Sequence, residues 1–270
     1  MSAPSLRAFI TSRPRLKRAM LGAMRVLSPL LHSPIGAALR YPAFLSDYRA
    51  FRRAAPPGTA FEPYPCLFDR SATTGIDAHY FHQAVWAARH IHASGTTTHV
   101  DIGSQVLFVG MLTAFTDVTF VDIRPVELAL ERYRGLHGSI TALPFEDASV
   151  ASLSCLHVME HIGLGRYGDP IDPDGARKAA AEIARVLAPG GRALLSTPIG
   201  SARVQFNGQR VFAAGQFLSM FGGLVLSEFC LVDARGEFRT GVDPSEPDLR
   251  EAGTGADCGL GLFVLEKPAP

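Results

Sequence analysis

The chain contains His157-x-x-Glu160-His161, and side chains three and four positions apart fall on one face of a helical turn. A carboxylate and two imidazoles on one face suit a general base beside a reacting group, or a divalent metal. The alternative is structural: Glu160 and His161 hydrogen-bond to fix the loop they stand in. The same letters form the pattern of inverted zinc proteases, but a distal acid ligand is missing and the motif follows a strand-like run, which argues against a protease. A second group is Asp101-Ile102-Gly103-Ser104, where a glycine after a strand permits a tight turn and lets a helix N-terminus approach a ligand. Asp122 lies 19 positions beyond Gly103. A carboxylate at that spacing can accept both hydrogen bonds of a ribose diol; the alternative is a cap on a helix begun by Pro125. A dinucleotide loop would need glycines where Gln105 and Leu107 stand. A literal GxGxxG does occur at Gly163, Gly165 and Gly168, yet Asp169-Pro170-Ile171-Asp172-Pro173 follows it where a helix start is required. Asn207 and Arg210 are candidates to orient an anionic or hydroxylated acceptor, or else to clamp a loop.

These residues need elements to position them. Helices are expected over Asp77–His92, Ser104–Phe115, Pro125–Arg134, Asp174–Leu187 and Phe212–Phe221. Strands are expected over Thr98–Ile102, Val118–Asp122, Ser139–Thr141, Val150–Cys155, Arg192–Thr197, Leu224–Val232 and Gly261–Glu266. Ala176, Ala180, Ile183 and Leu187 share one helical face, and Pro189-Gly190-Gly191 stops that helix. Strands alternating with helices mean a doubly wound, parallel α/β sheet, whose ligands lie past the carboxyl ends of the strands. The candidate residues Asp101, Gly103, Ser104, Asp122, His157, Glu160 and His161 all stand at such ends.

Pro56, Pro57, Gly58, Pro63 and Pro65 form a stiff stretch that divides residues 1–60, a basic and mainly helical extension, from an α/β domain over 61–270. Residues 1–60 carry ten Arg/Lys against Asp47 alone, net +9; the remainder carries 16 against 24, net −8, and the sum is the chain's +1. Leu16, Met20, Met24, Leu27 and Leu31 recur at helical spacing within the basic part. The stripe either packs on its own domain or touches an anionic membrane surface. No stretch of eighteen apolar residues escapes a charge or proline, which excludes an integral membrane protein, and the bases running through Arg25 do not read as an export signal. Four scattered cysteines without a CxxC fit reduced thiols and a cytoplasmic location. The acidic remainder and the lack of a groove-reading motif exclude a nucleic-acid partner.

The series HVDIG, FVDIRP, ITALPFEDASVASLSCLHVMEHIG, RVLAPGGRALLSTP and GLFVLEKP resembles, over residues 77–267, the successive motifs of class I S-adenosylmethionine-dependent methyltransferases. EHIGLGRYGDPIDPDG, with PIG and FNGQR downstream, is similar more narrowly to the methyltransferase-like family called domain of unknown function 268. The resemblance implies a Rossmann-like, seven-stranded sheet with an antiparallel last strand. It implies S-adenosylmethionine as cofactor, with Asp101, Gly103 and Ser104 at its amino-acid end, Asp122 on the ribose, and Thr141 and Ala142 framing the adenine. Here Ser139 stands where the superfamily often has an adenine-contacting Asp. His157-x-x-Glu160-His161 is similar to the ExxEH metal site of some methyltransferases, with His157 in place of the first Glu. The expected activity is methyl transfer to a small-molecule or glycan-type acceptor. The competing expectation is a catalytically inactive binding or scaffold protein that kept the fold.

Overall fold

A computed structural model describes residues 23–24, 26–245 and 258–269 of the chain. They fall into two compact units, Met1–Gly75 and Ile76–Pro270. In the first, residues 26–32 are helical, the backbone breaks at Ser33, and helix α1 runs over Pro34–Ala54. The Tyr41 hydroxyl donates to the Val26 carbonyl and Ala37 is fully buried, so the break folds the two helical segments back on each other. Leu16 and Met20 lie outside the described residues.

The second unit follows from alternating burial along short apolar strands. Helix α2 is Ala78–Ser94, capped at its start by the Asp77 carboxylate, which accepts from the Tyr80 amide at 3.1 Å. There follow β1 Thr98–Ile102, α3 Val106–Leu112, β2 Asp117–Asp122, β3 Tyr133–His137, β4 Val150–Leu156, a 3-10 turn at Met159–His161, and α4 Gly175–Val186. The unit continues with β5 Leu187–Ile199, the hairpin β6 Arg203–Gln205 and β7 Gln209–Val211, α5 Ala214–Leu218, β8 Val225–Val232, β9 Phe238–Thr240 and β10 Gly259–Glu266.

Eight strands form one sheet in the order β3-β2-β1-β4-β5-β10-β8-β9. β3, β2, β1, β4 and β5 are mutually parallel, while β10 is antiparallel to both β5 and β8. Two cores cover opposite faces, which makes the sheet doubly wound. One packs α4 and α5, through Ile183, Val186 and Phe217, onto Leu153, Leu195 and Phe263. The other packs α2 and α3, through Trp86, Ile91, Phe108 and Leu112, onto Phe120, Leu156 and Leu262. Among the described residues no helix is long and apolar enough to cross a membrane, and no disulfide links the cysteines.

Three sequence expectations are corrected. The sheet has eight strands because Phe238–Thr240 adds an edge strand to β8. Residues 125–132 are not helical, and Tyr133 and Arg134, expected at that helix's end, open β3 against β2. The Gly135 hydrogen makes this pairing fit, since a Cβ there would stand 2.9 Å from the Val126 carbonyl oxygen, and the Tyr133 hydroxyl donates to that same oxygen at 2.7 Å. The strand expected at Ser139–Thr141 is a turn with a single bridge from Ser139 to Ala142.

Candidate active site

Ile102, the last residue of β1, lies opposite Val121, so Gly103 just after β1 and Asp122 at the end of β2 emerge side by side at the carboxyl edge of the sheet. The Gly103 amide donates to the Val121 carbonyl at 2.9 Å and its φ of +66° is one that L side chains rarely adopt. A Cβ on Gly103 would stand 3.2 Å from Val158 Cγ1 and 3.7 Å from Asp122 Oδ2. The hydrogen of Gly103 therefore keeps open a cleft between Asp122 and Val158. Asp122 Oδ1 accepts from the Arg124 amide at 2.6 Å, a local turn; with no helix after β2, the helix-cap alternative for this carboxylate falls away.

Gly103 and Asp122 line a cavity of about 250 Å³. Its walls also hold Arg124, Ser139, Thr141, His157, His161 and Tyr167. Four of the residues expected at the cofactor or in catalysis sit elsewhere. Asp101 is fully buried behind the cavity, accepting from the Ser104 amide at 3.0 Å and from the Ser154 hydroxyl. Ser104 is also buried, and its hydroxyl accepts from the Leu156 amide at 3.0 Å. Together they brace the glycine turn to β4. Burial pushes the Asp101 carboxyl up to about 6, against its hydrogen bonds from Ser154 and Ser104. Ser154 continues to His99 Nε2 at 2.8 Å, and His99 Nδ1 to Ser152 at 2.8 Å; burial pulls that imidazole down to about 3, so it is neutral. Ala142 lies in the turn outside the cavity wall, and Glu160 is fully buried beneath it.

The two histidines of the HxxEH motif converge on Glu160. His157 precedes the 3-10 turn, and its φ of +57° is a strained conformation for a non-glycine residue. Its amide is held by the Ser196 hydroxyl at 3.0 Å, and Ser196 in turn donates to Gln83 Oε1 at 2.6 Å. His157 Nδ1–H donates to Glu160 Oε1 at 2.6 Å. Because a carboxylate only accepts, Nδ1 carries a proton, and in the neutral ring the lone pair is on Nε2; that nitrogen is buried and has no hydrogen-bond partner among the described residues. Tyr80 and His79 of α2 lie near-parallel to the His157 ring, centroids at 5.1 and 5.9 Å. His161 Nδ1–H donates to the Gly208 carbonyl at 2.8 Å, and its Nε2 is 3.9 Å from Glu160 Oε1. Burial lowers the His161 value, with Glu160 opposing; burial also lowers His79 and raises Tyr80. Among the described residues no three His, Cys, Asp or Glu side chains are arranged to hold a metal ion.

The GxGxxG segment forms the cavity's outer wall and is built around a carboxylate. Asp169 Oδ2 accepts from the Gly163 and Gly165 amides at 2.7 and 3.4 Å, and Oδ1 from the Tyr167 amide at 3.2 Å. The amides a phosphate would need are occupied by a negative side chain. Tyr167 carries the Arg124 guanidinium 4.7 Å and the Arg166 guanidinium 5.1 Å from its ring centre. Arg210 is buried and donates to the carbonyls of Ile162 and Asp172, which is the loop-clamp arrangement, while Asn207 is exposed at the β6–β7 turn and not on the cavity wall.

Several contributors escaped the sequence reading. Arg124 could have been found as a cation two residues past Asp122. Glu182 and Arg185, an i, i+3 pair on α4, hold the Thr141–Phe145 turn: Glu182 Oε2 accepts from the Leu143 amide at 2.7 Å, and Arg185 donates to the Leu143 and Phe145 carbonyls. His79 and Tyr80 stand more than seventy positions from His157, and no local pattern announces their stacking.

Residues 121–232 match the family described as "Caenorhabditis protein of unknown function, DUF268". No relative among the curated proteins matches the chain. Among solved structures, a putative sarcosine dimethylglycine methyltransferase from Galdieria sulphuraria is similar with a TM-score of 0.51 at 17% identity, over 70% of this chain and 86% of that one. The [4+2]-cyclase SpnF is similar with a TM-score of 0.53 at 15% identity, over 92% of this chain and 95% of that one. The chain therefore carries the class I S-adenosylmethionine-dependent methyltransferase fold, and the segment that builds most of its cavity matches the DUF268 family.

Proposed function

We propose that the protein is an S-adenosylmethionine-dependent methyltransferase acting on a small-molecule or glycan-type acceptor. Of two proteins similar in fold, one is described as a methyltransferase and the other as a cyclase, so fold alone assigns no reaction and the site must carry the reading. The observation that carries it is the pairing of Asp122 with Gly103: a carboxylate at the end of β2, relieved of any helix to cap, facing a cleft that a Cβ would fill. Asp122 would accept the ribose hydroxyls, Gly103 would let the chain approach the amino-acid end, and Ser139 and Thr141 would frame the base. Bound there, S-adenosylmethionine supplies an electrophilic methyl group on a positively charged sulfur.

His157 supplies the complementary function. With Nδ1–H held by Glu160, its buried Nε2 is the atom that would take the proton an acceptor hydroxyl, carboxyl or amine gives up when the methyl carbon passes from sulfur to that acceptor. Glu160 keeps the ring oriented and stabilises the imidazolium that forms. Positioning does the rest, because an in-line displacement needs little else from a protein. The test is titration with S-adenosylhomocysteine. Asp122→Ala should weaken binding at least tenfold, the loss of charge-assisted hydrogen bonds worth about 1.5 to 3 kcal/mol. Equal thermal-shift responses of wild type and variant would remove Asp122 from the site, and no response from the wild type would leave the scaffold alternative.

A further inference from the structure

Among the described residues the first unit carries a group of large, exposed apolar side chains. On the helical segment before Ser33, Met24, Leu27 and Leu31 are 64%, 54% and 84% exposed, and their spacing of three and four places them in one row. On α1, Ile35 and Leu39 are 78% and 76% exposed and again four apart. Five such residues within sixteen positions are more than the scattered surface leucines of an ordinary soluble domain. The same part of the chain is strongly cationic: residues 1–60 hold ten Arg/Lys and a single acid. That acid, Asp47, is already paired with Arg70 at 3.0 Å, a cation from beyond residue 60, so it neutralises none of the ten.

Exposed leucines alone would suit many partners, but the charge narrows the choice. An excess of +9 is repelled by a cationic surface, gains nothing from a neutral one and favours one that is densely negative, and the helical segments leave an apolar row free to enter a hydrocarbon boundary. We propose that residues 1–60 form a peripheral anchor that lays Met24, Leu27, Leu31, Ile35 and Leu39 into the interface of an anionic lipid bilayer, with the arginines against its headgroups. The anchor lies on the surface and does not span it.

The full chain should co-sediment with vesicles of phosphatidylcholine containing about 30% phosphatidylglycerol at low salt, at least tenfold more strongly than with phosphatidylcholine alone, and binding should fall steeply toward about 0.5 M salt. Leu27→Gln/Leu31→Gln/Ile35→Gln/Leu39→Gln changes only exposed positions, so circular dichroism should match the wild type, while vesicle binding should drop by about tenfold or more. Failure of the wild type to bind anionic vesicles at low salt would overturn the proposal. So would undiminished binding by the folded quadruple variant, which would mean attraction by charge without insertion.

Discussion

Replacing Asp101 by Asn should stabilise the protein at neutral pH and leave it unchanged in acid. The Asp101 carboxyl is fully buried and held at about 6, against an ordinary value of 3.8. An acid whose folded value is raised contributes stability that is complete below 3.8 and is lost as pH rises through about 6, because the unfolded chain releases its proton first. At about 1.4 kcal/mol per pH unit, the loss across that window is about 3 kcal/mol as an upper figure. Asn fits the same hydrogen bonds: its carbonyl oxygen accepts from the Ser104 amide, its amide donates to Ser154, and the Ser154 hydroxyl turns to the neutral His99 ring. Urea unfolding of both proteins from about pH 4.5 to 8 gives the difference in stability at each pH. The carboxylates held below their ordinary value, such as Glu182 and Glu228, act in the opposite sense but are common to both proteins and cancel. The variant should pull ahead as pH rises to about 7 and then hold a constant lead. A lead that does not change with pH would refute the reasoning, since Asp101 would then keep one protonation state throughout.

Gly103→Ala forces a Cβ onto a φ of +66° within 3.2 Å of Val158, and should cost about 1 to 2 kcal/mol by denaturant unfolding while weakening S-adenosylhomocysteine at least tenfold by calorimetry. His157→Ala and His157→Gly both remove the imidazole, but only glycine relieves the φ of +57°; the Gly variant should be the more stable of the two by about 1 kcal/mol, with neither turning over any acceptor. Arg185→Met removes the bonds to Glu182 and to the Leu143 and Phe145 carbonyls, and should lower stability by about 2 kcal/mol and weaken S-adenosylhomocysteine through the loosened Thr141–Phe145 turn, both read from thermal melts with and without ligand.

The elements that were legible are those whose own burial pattern specifies them. Thr98–Ile102 forms β1 as expected, and the Ala176, Ala180, Ile183, Leu187 row is buried as one face. The Pro125–Arg134 helix failed because its apolar and charged residues have good helix propensity, whereas the deciding interaction, β3 on β2, lies in the next segment and turns on Gly135. The site was legible to the level of which strand ends matter. Side-chain direction was not: Asp101 looked like a ligand contact by position, yet the alternation that pairs His99 and Asp101 with Ser152 and Ser154 across two parallel strands turns it inward. Likewise the spacing of His157, Glu160 and His161 announced a common face, while the short bond from His157 Nδ1 to Glu160 and the stacking of α2 on the ring come from the fold.

The helix-free crossover between β2 and β3 has a consequence for how strongly the site holds anything. β3 lies at the edge of the sheet, is bonded on one side only, and has no fully buried residue, while Leu128 and Leu130 of the crossover remain 42% and 41% exposed. It is the strand cheapest to release in a local, sub-global opening, and its amides should exchange with solvent hydrogen well before those of β1, β4 or β5. Gly138, Ser139 and Thr141 of the cavity wall follow directly from its end. Apparent affinity is then the intrinsic affinity multiplied by the fraction of molecules in which that edge is docked. Substitutions at Leu128 or Leu130 that touch no ligand would tune binding through this fraction, and slowed exchange in β3 on adding ligand would be its direct record.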